Sequence, residues 1–287
     1  MRPASNEGRS SGKVANLNSD LLDGKSDTDF AAAYKSTVVV SPVGTDTENG
    51  TALLAALSGI TDASAANPYL LSIEPGTYDL GTATLQMKEH VDIQGSGKLN
   101  TTITSGVSDC NSINGTVNGA NNVELRFLTV SNTGTGQCNT AIFNISASPR
   151  LTYVTAEATG VGGVGTENTG VYNVESSSPT MTNVTVTASG GDVNTGKFNN
   201  DNSNPTMTEA TVTASGSESD NYGVYNAQSS TIIRESTLIG STNSLFQDES
   251  IGKVANTQLV GPVGTGGGGI LQCIGNYDEN MDAVTCP

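Results

Sequence analysis

Catalysis by side chains needs carboxylates, a cation or a nucleophile gathered at one place, and this chain has few residues to gather. Its arginines are Arg2, Arg9, Arg126, Arg150 and Arg234, and its single histidine is His90. Glu124, Arg126 and Arg150, with Asp248, are the candidates for acid/base or nucleophilic work. The alternative reading makes Glu124 and Arg150 a surface ion pair of small worth, and Asp248 and His90 solvated or structural residues. A calcium ion would need several oxygen ligands in one cluster. Glu167, Asp192, Glu218 and Asp220 are candidates for it, with Asp201 nearby, and Ca²⁺ is the cofactor they would take. As hydrated acidic edges they would bind nothing. Zinc lacks a ligand set, since the four cysteines contain no Cys-x-x-Cys pair and there is one histidine.

Composition says what kind of scaffold holds these residues. The chain has 287 residues, 12 Lys+Arg against 28 Asp+Glu, a net charge of −16, 34 glycines and no tryptophan. A field this acidic repels phosphate, and with no basic stripe nucleic acid is not a partner. No apolar run approaches the 18 or so residues of a membrane span. The opening "MRPASNEGRSSGK" reads as a tag remnant or a trimmed mature end, without a signal peptide. An even number of cysteines in a Thr- and Asn-rich acidic chain points to an extracellular or cell-surface protein with two disulfides; four buried free thiols are the alternative.

The strongest signal is an internal repeat of about 26 residues. It stacks Asn118, Asn144, Asn173, Asn199 and Asn226 in one column, and Thr129, Thr155, Thr185, Thr211 and Thr237 in another. Leu125, Leu151, Met181, Met207, Ile233 and Val254 form a third, and Val130, Ala156, Val186, Val212, Leu238 and Leu259 a fourth. Within each repeat the alternation is period two, as in Val184, Thr185, Val186, Thr187, which predicts half-buried strands. No helix fits between repeats. The fold predicted is all-β, a right-handed parallel β-helix of about 8–9 coils in which like residues lie on one another. Residues 1–35 form an N-terminal tail or stalk-like segment, 36–265 the β-helix, and 266–287 a C-terminal cap. A short capping helix at 49–60 places Leu53, Leu54, Leu57 and Ile60 on one side and covers the open end of the core.

Stacking then decides which candidates can meet. Glu124 shares a column with Arg150 on the next coil, about one strand spacing away. Cys110 and Cys138 fall in nearly the same column on adjacent coils, which suits a disulfide, and Cys273 with Cys286 would clamp the C-terminal end. The Thr-x-Thr rows at 180–187 and 206–213 resemble a flat ice-binding array, although β propensity alone accounts for outward threonines. Phe143, Tyr172, Phe198, Tyr225 and Phe246 form an aromatic column that either packs under a turn or offers a platform for sugars. Lys197 occupies the neighbouring column, among Ile142, Val171 and Val224, so one of the two columns must face out. Sequence leaves open which.

The stretch "LLSIEPGTYDL", followed by "VDIQGSGKLNTTITSG", is similar to the opening coils of the pectin lyase-like superfamily, pectin methylesterases included. The "GVYN…SPTMTNVTVTASG" units resemble repeats of bacterial secreted β-helix surface proteins, and together these cover 36 to about 260. The superfamily holds lyases, hydrolases, esterases, phage spikes and adhesins, so the resemblance implies fold more than activity. Methylesterases carry "Q-D-T-L", "D-F-I-F-G" and a later "G-R-P-W". Here "LFQDES" supplies only Gln247 and Asp248, and no arginine follows Arg234. Upstream, "VANLNSDLLDGKSDTDFAAAY" is similar to segments beside stalks of tail-fibre-like proteins, which implies export and a trimer. The functional expectation is an extracellular, non-catalytic structural or adhesive β-helix. Its partners would be itself, as a homo-oligomer, trimer or filament, or an extracellular polysaccharide. The alternative is a polyuronate lyase, hydrolase or esterase.

Overall fold

The structure is a computed structural model that describes residues 34–108, 110, 114–161, 164–217 and 219–285. The stalk-like segment as far as residue 33, Glu218, and Cys286 with its expected pairing lie outside these residues.

Short alternating strands broken by Gly, Asn and Ser-Pro cannot form hairpins when each repeat returns in the same direction, so each coil pairs with the next. The pairs between named strands are parallel throughout, as a right-handed parallel β-helix requires. One sheet runs ten rungs, from Ser36–Val40 through Glu124–Asn132 and Arg150–Ala158 to Ile270–Ile274. Its branch, from Gly76–Asp79 to Gln258–Val260, makes a second face of the coil. A separate eight-stranded sheet, from Leu85–Gln86 to Val263–Gly266, makes the third. The ladder extends past residue 266, because Ile270–Ile274 pairs in register with Ile251–Ala255. No helix among the described residues is long and apolar enough to cross a membrane.

Register brings like onto like. Thr129, Thr155, Thr185, Thr211 and Thr237 are successive partners on the branch face. The interior is filled by the slim columns Leu125–Leu151–Met181–Met207–Ile233 and Val130–Ala156–Val186–Val212–Leu238, all inaccessible to solvent. Between these two faces the chain turns at a residue with left-handed backbone: Phe127, Tyr153, Asn183, Glu209, Glu235 and Asn256 all have φ between 50° and 55°.

At the C-terminal ends of the strands in the eight-stranded sheet runs a buried ladder of amides. Asn144 Nδ2 donates to Asn173 Oδ1 at 2.7 Å, Asn173 Nδ2 to Asn199 Oδ1 at 2.7 Å, and Asn199 in turn to Asn226. Asn118 falls outside this ladder: it stands against Phe143, one position short of the column, and its amide bonds Gly115 N and Asn114 instead.

The helix spans Asp46–Gly59 and begins ahead of Asn49 because Thr45 and Glu48 form a capping box. Leu53, Leu57 and Ile60 are buried against the first coils, and Leu54 packs at their margin.

Candidate functional site

Strand alternation on the eight-stranded sheet sets one residue inward and the next outward. Lys197 continues the inward column Ile142–Val171–Lys197–Val224–Leu245 and is 0% exposed. The aromatic column therefore faces out. Its rings contact one another rung by rung: Phe143–Tyr172 at 5.4 Å between centroids, Tyr172–Phe198 at 4.9 Å, Phe198–Tyr225 at 5.2 Å and Tyr225–Phe246 at 5.3 Å. Phe143 is covered, whereas Tyr172 to Phe246 are partly open to solvent.

The outward column beside these rings is Thr140, Thr169 and Thr195, and then Tyr222. Inward-facing glycines between the two columns let the sheet lie close to the opposite wall; a Cβ on Gly196 would stand 2.5 Å from Val212 Cγ1. Two hollows lie along the strip. One, of about 180 Å³, is lined by Cys110, Cys138, Thr140, Glu167, Thr169, Tyr172 and Phe198. The other, of about 220 Å³, is lined by Glu167, Thr169, Val193, Thr195, Phe198, Tyr222 and Tyr225. The Cys110–Cys138 disulfide, with Cα atoms 5.2 Å apart, stands at the first. Acids rim the strip. Burial and the Asp201 carboxylate raise the Tyr172 phenol, burial and Asp220 raise Tyr222, and burial and Asp248 raise Tyr225.

On the ten-rung sheet Glu124, Arg126 and Arg150 do come together, in a closed network. Arg126 Nη1 donates to Glu124 Oε2 at 2.6 Å, its Nε to Gln94 Oε1 at 2.9 Å and its Nη2 to the Tyr34 hydroxyl at 2.9 Å. Tyr34 donates to Asp92 Oδ2 at 2.6 Å, and Thr152 Oγ1 to Glu124 Oε1 at 2.6 Å. Arg150 reaches Glu124 at 3.6 Å from a solvent-exposed position. Burial works to raise the Glu124 pKa, but the hydrogen bonds from Thr152 and Arg126 and the two guanidinium charges outweigh it and hold the carboxyl below its usual range. Such a group stays an anion; it does not hold a proton to donate near neutral pH.

No family model matches the sequence, and no curated protein matches it. Solved structures do. Pectin methylesterase from Yersinia enterocolitica superposes with a TM-score of 0.51 at 14% identity, over 80% of this chain and 91% of that one. The chain has the pectin lyase-like parallel β-helix fold. Pectin methylesterase PemA from Erwinia chrysanthemi covers 89% of this chain and 92% of its own at 11% identity, with a TM-score of 0.49. At these identities the likeness is one of fold.

Within this pectin lyase-like β-helix, Asp248 does not join the Glu124 network. It lies on the eight-stranded sheet at the far end of the aromatic strip, beside Tyr225 and Gly266. Glu167, Asp192 and Asp220 sit along one edge of that sheet, and Asp192 accepts from Gly165 N at 3.1 Å. Among the described residues no three His, Cys, Asp or Glu side chains are grouped to hold a metal. The Thr-x-Thr rows span two coils and are interrupted by the turns at Asn183 and Glu209. Sequence reading missed Tyr222, although a tyrosine breaking a threonine column was a visible signal. It also missed Tyr34 and Asp92, whose role depends on distant strands meeting.

Proposed function

We propose that this is an extracellular, non-catalytic β-helix that holds a glycan against the aromatic strip of its eight-stranded sheet. The observation that carries this reading is the outward ladder Tyr172–Phe198–Tyr225–Phe246, rings at rung spacing with hydroxyls and a carboxylate alongside. The rings stack on one another at 4.9–5.3 Å and so turn their positively polarised C–H edges outward, an apolar strip that covers a sugar's C–H surface and meets its ring oxygens, while Thr169, Thr195 and Glu167 accept from hydroxyls. The non-catalytic part rests on the closed Glu124–Arg126 network and its separation from Asp248. The acidic rim and the net charge of −16 disfavour polyuronates and favour uncharged or amino sugars.

The test is isothermal titration against neutral, amino and uronic oligosaccharides, with Tyr172→Ala and Phe198→Ala beside the unaltered chain. Binding of neutral or amino sugars that both substitutions abolish, with folding intact, bears the reading out. Turnover of a polyuronate lost in Asp248→Ala or Arg150→Ala would replace it with an enzymatic one. Light scattering checks self-association as the adhesive route: mass rising with concentration supports a filament or trimer, and a constant monomer mass removes it.

A further inference from the structure

The two hollows share Glu167, Thr169 and Phe198, so they form one groove. Its ends are unlike its middle. At one end stand the Cys110–Cys138 disulfide and Phe143, which is only 2% exposed. At the other, Tyr222 takes the place that threonine holds on the three preceding rungs. Its ring lies 5.2 Å from Tyr225 at 48° and 6.1 Å from Phe246 at 51°, tilted to both, and with Tyr225 it lines the last rung of the second hollow. The rungs of Cys138, Glu167, Val193 and Asp220 span three strand spacings of about 4.8 Å, or roughly 14 Å.

We infer that the groove is closed at both ends and takes a short, uncharged or amino-bearing oligosaccharide, or the end of a glycan chain, two or three sugar rings long. This rests on the glycan reading above and adds the length and the walls. Each hollow seats one sugar ring against the outward edges of Tyr172 and Phe198 or of Phe198 and Tyr225. Glu167, which both hollows share, accepts hydroxyl or ammonium hydrogens from adjoining rings. A polymer running through would have to climb over the disulfide at one end, or over Tyr222 to reach Phe246 at the other.

The experiment is titration of the full chain with a ladder of one to six rings of whichever neutral or amino glycan binds. Affinity should rise by about tenfold for each ring up to two or three and change by less than about twofold beyond. Tyr222→Thr, which restores the threonine column, should let affinity go on rising at four rings and more, and Tyr222→Phe should keep the cutoff. Circular dichroism confirms that both variants fold. If affinity in the unaltered chain climbs steadily from three rings to six, the closed groove is wrong while the glycan reading stands. If Tyr222→Thr leaves the cutoff in place, Tyr222 is not the wall, and the inference is overturned. If no ring number binds, the glycan reading itself fails.

Discussion

Lys197 and Phe198 are neighbours in sequence and stand on opposite sides of one sheet: the lysine fully buried among Val171 and Val224, the phenylalanine outward between Tyr172 and Tyr225. The pair orients the whole strip. The lysine Nζ has no hydrogen-bond partner, and burial lowers its pKa from 10.5 to about 7.

Lys197 therefore weakens the fold at neutral pH. Between about 7 and 10.5 the unfolded chain binds the proton that the folded chain has lost, so stability rises with pH across that window. The burden is full below the folded pKa and absent above the unfolded one. Lys197→Met should raise the unfolding free energy at pH 7 by on the order of a few kcal/mol, read as a higher urea midpoint, and flatten the slope between pH 7 and 10. An unchanged slope would show that the amine finds a partner in solution.

The amide ladder ends badly. Gln247 is the rung below Asn226, one methylene too long, and both its amide atoms and Asn226 Nδ2 are buried without a partner. Asn199→Ala should cost about 1–3 kcal/mol by orphaning its neighbours, and Gln247→Asn should recover about 1 kcal/mol by extending the chain of bonds. Thermal or urea unfolding of the two variants checks both signs.

Reduction of Cys110–Cys138 removes a crosslink between residues 28 apart. A loop of that size corresponds to roughly 3–4 kcal/mol in the chain-entropy account. Cys110→Ser with Cys138→Ser should lower the unfolding midpoint accordingly in oxidising buffer, and in a reducing buffer the difference from the unaltered chain should vanish.

Glu124 gives the acid side of the profile. Its carboxyl is held below 4.5 by Thr152 and by Arg126 against the cost of burial, so its contribution is present above that pH and lost as pH falls through the folded value. Glu124→Gln should destabilise at pH 6 and matter progressively less below pH 4. Midpoints measured across pH 3–6 decide it; an equal loss at every pH would assign the effect to packing instead.

Much of this molecule was legible in one dimension. A solenoid repeats its environment every coil, so the threonine, leucine and asparagine columns report stacking directly, and the Thr129–Thr237 ladder needed no coordinates. The same holds for Glu124 beside Arg150, which is a register statement. Asn118 escaped because a single-residue change in coil length moves a side chain out of its column without altering the local pattern.

What the tertiary structure alone decided is direction and distance across the coil. Period two says that Lys197 and Phe198 face opposite ways, and the sequence cannot say which way is in. That depends on the glycines at 170 and 196 drawing the sheet against Val186 and Val212, which leaves no outside for the lysine column. Likewise the repeat put Asp248 and Arg126 in the same list of candidates, and only the winding showed that they sit on different sheets, several rungs apart. Local alternation is a property of the chain, whereas inside and outside belong to the closed coil.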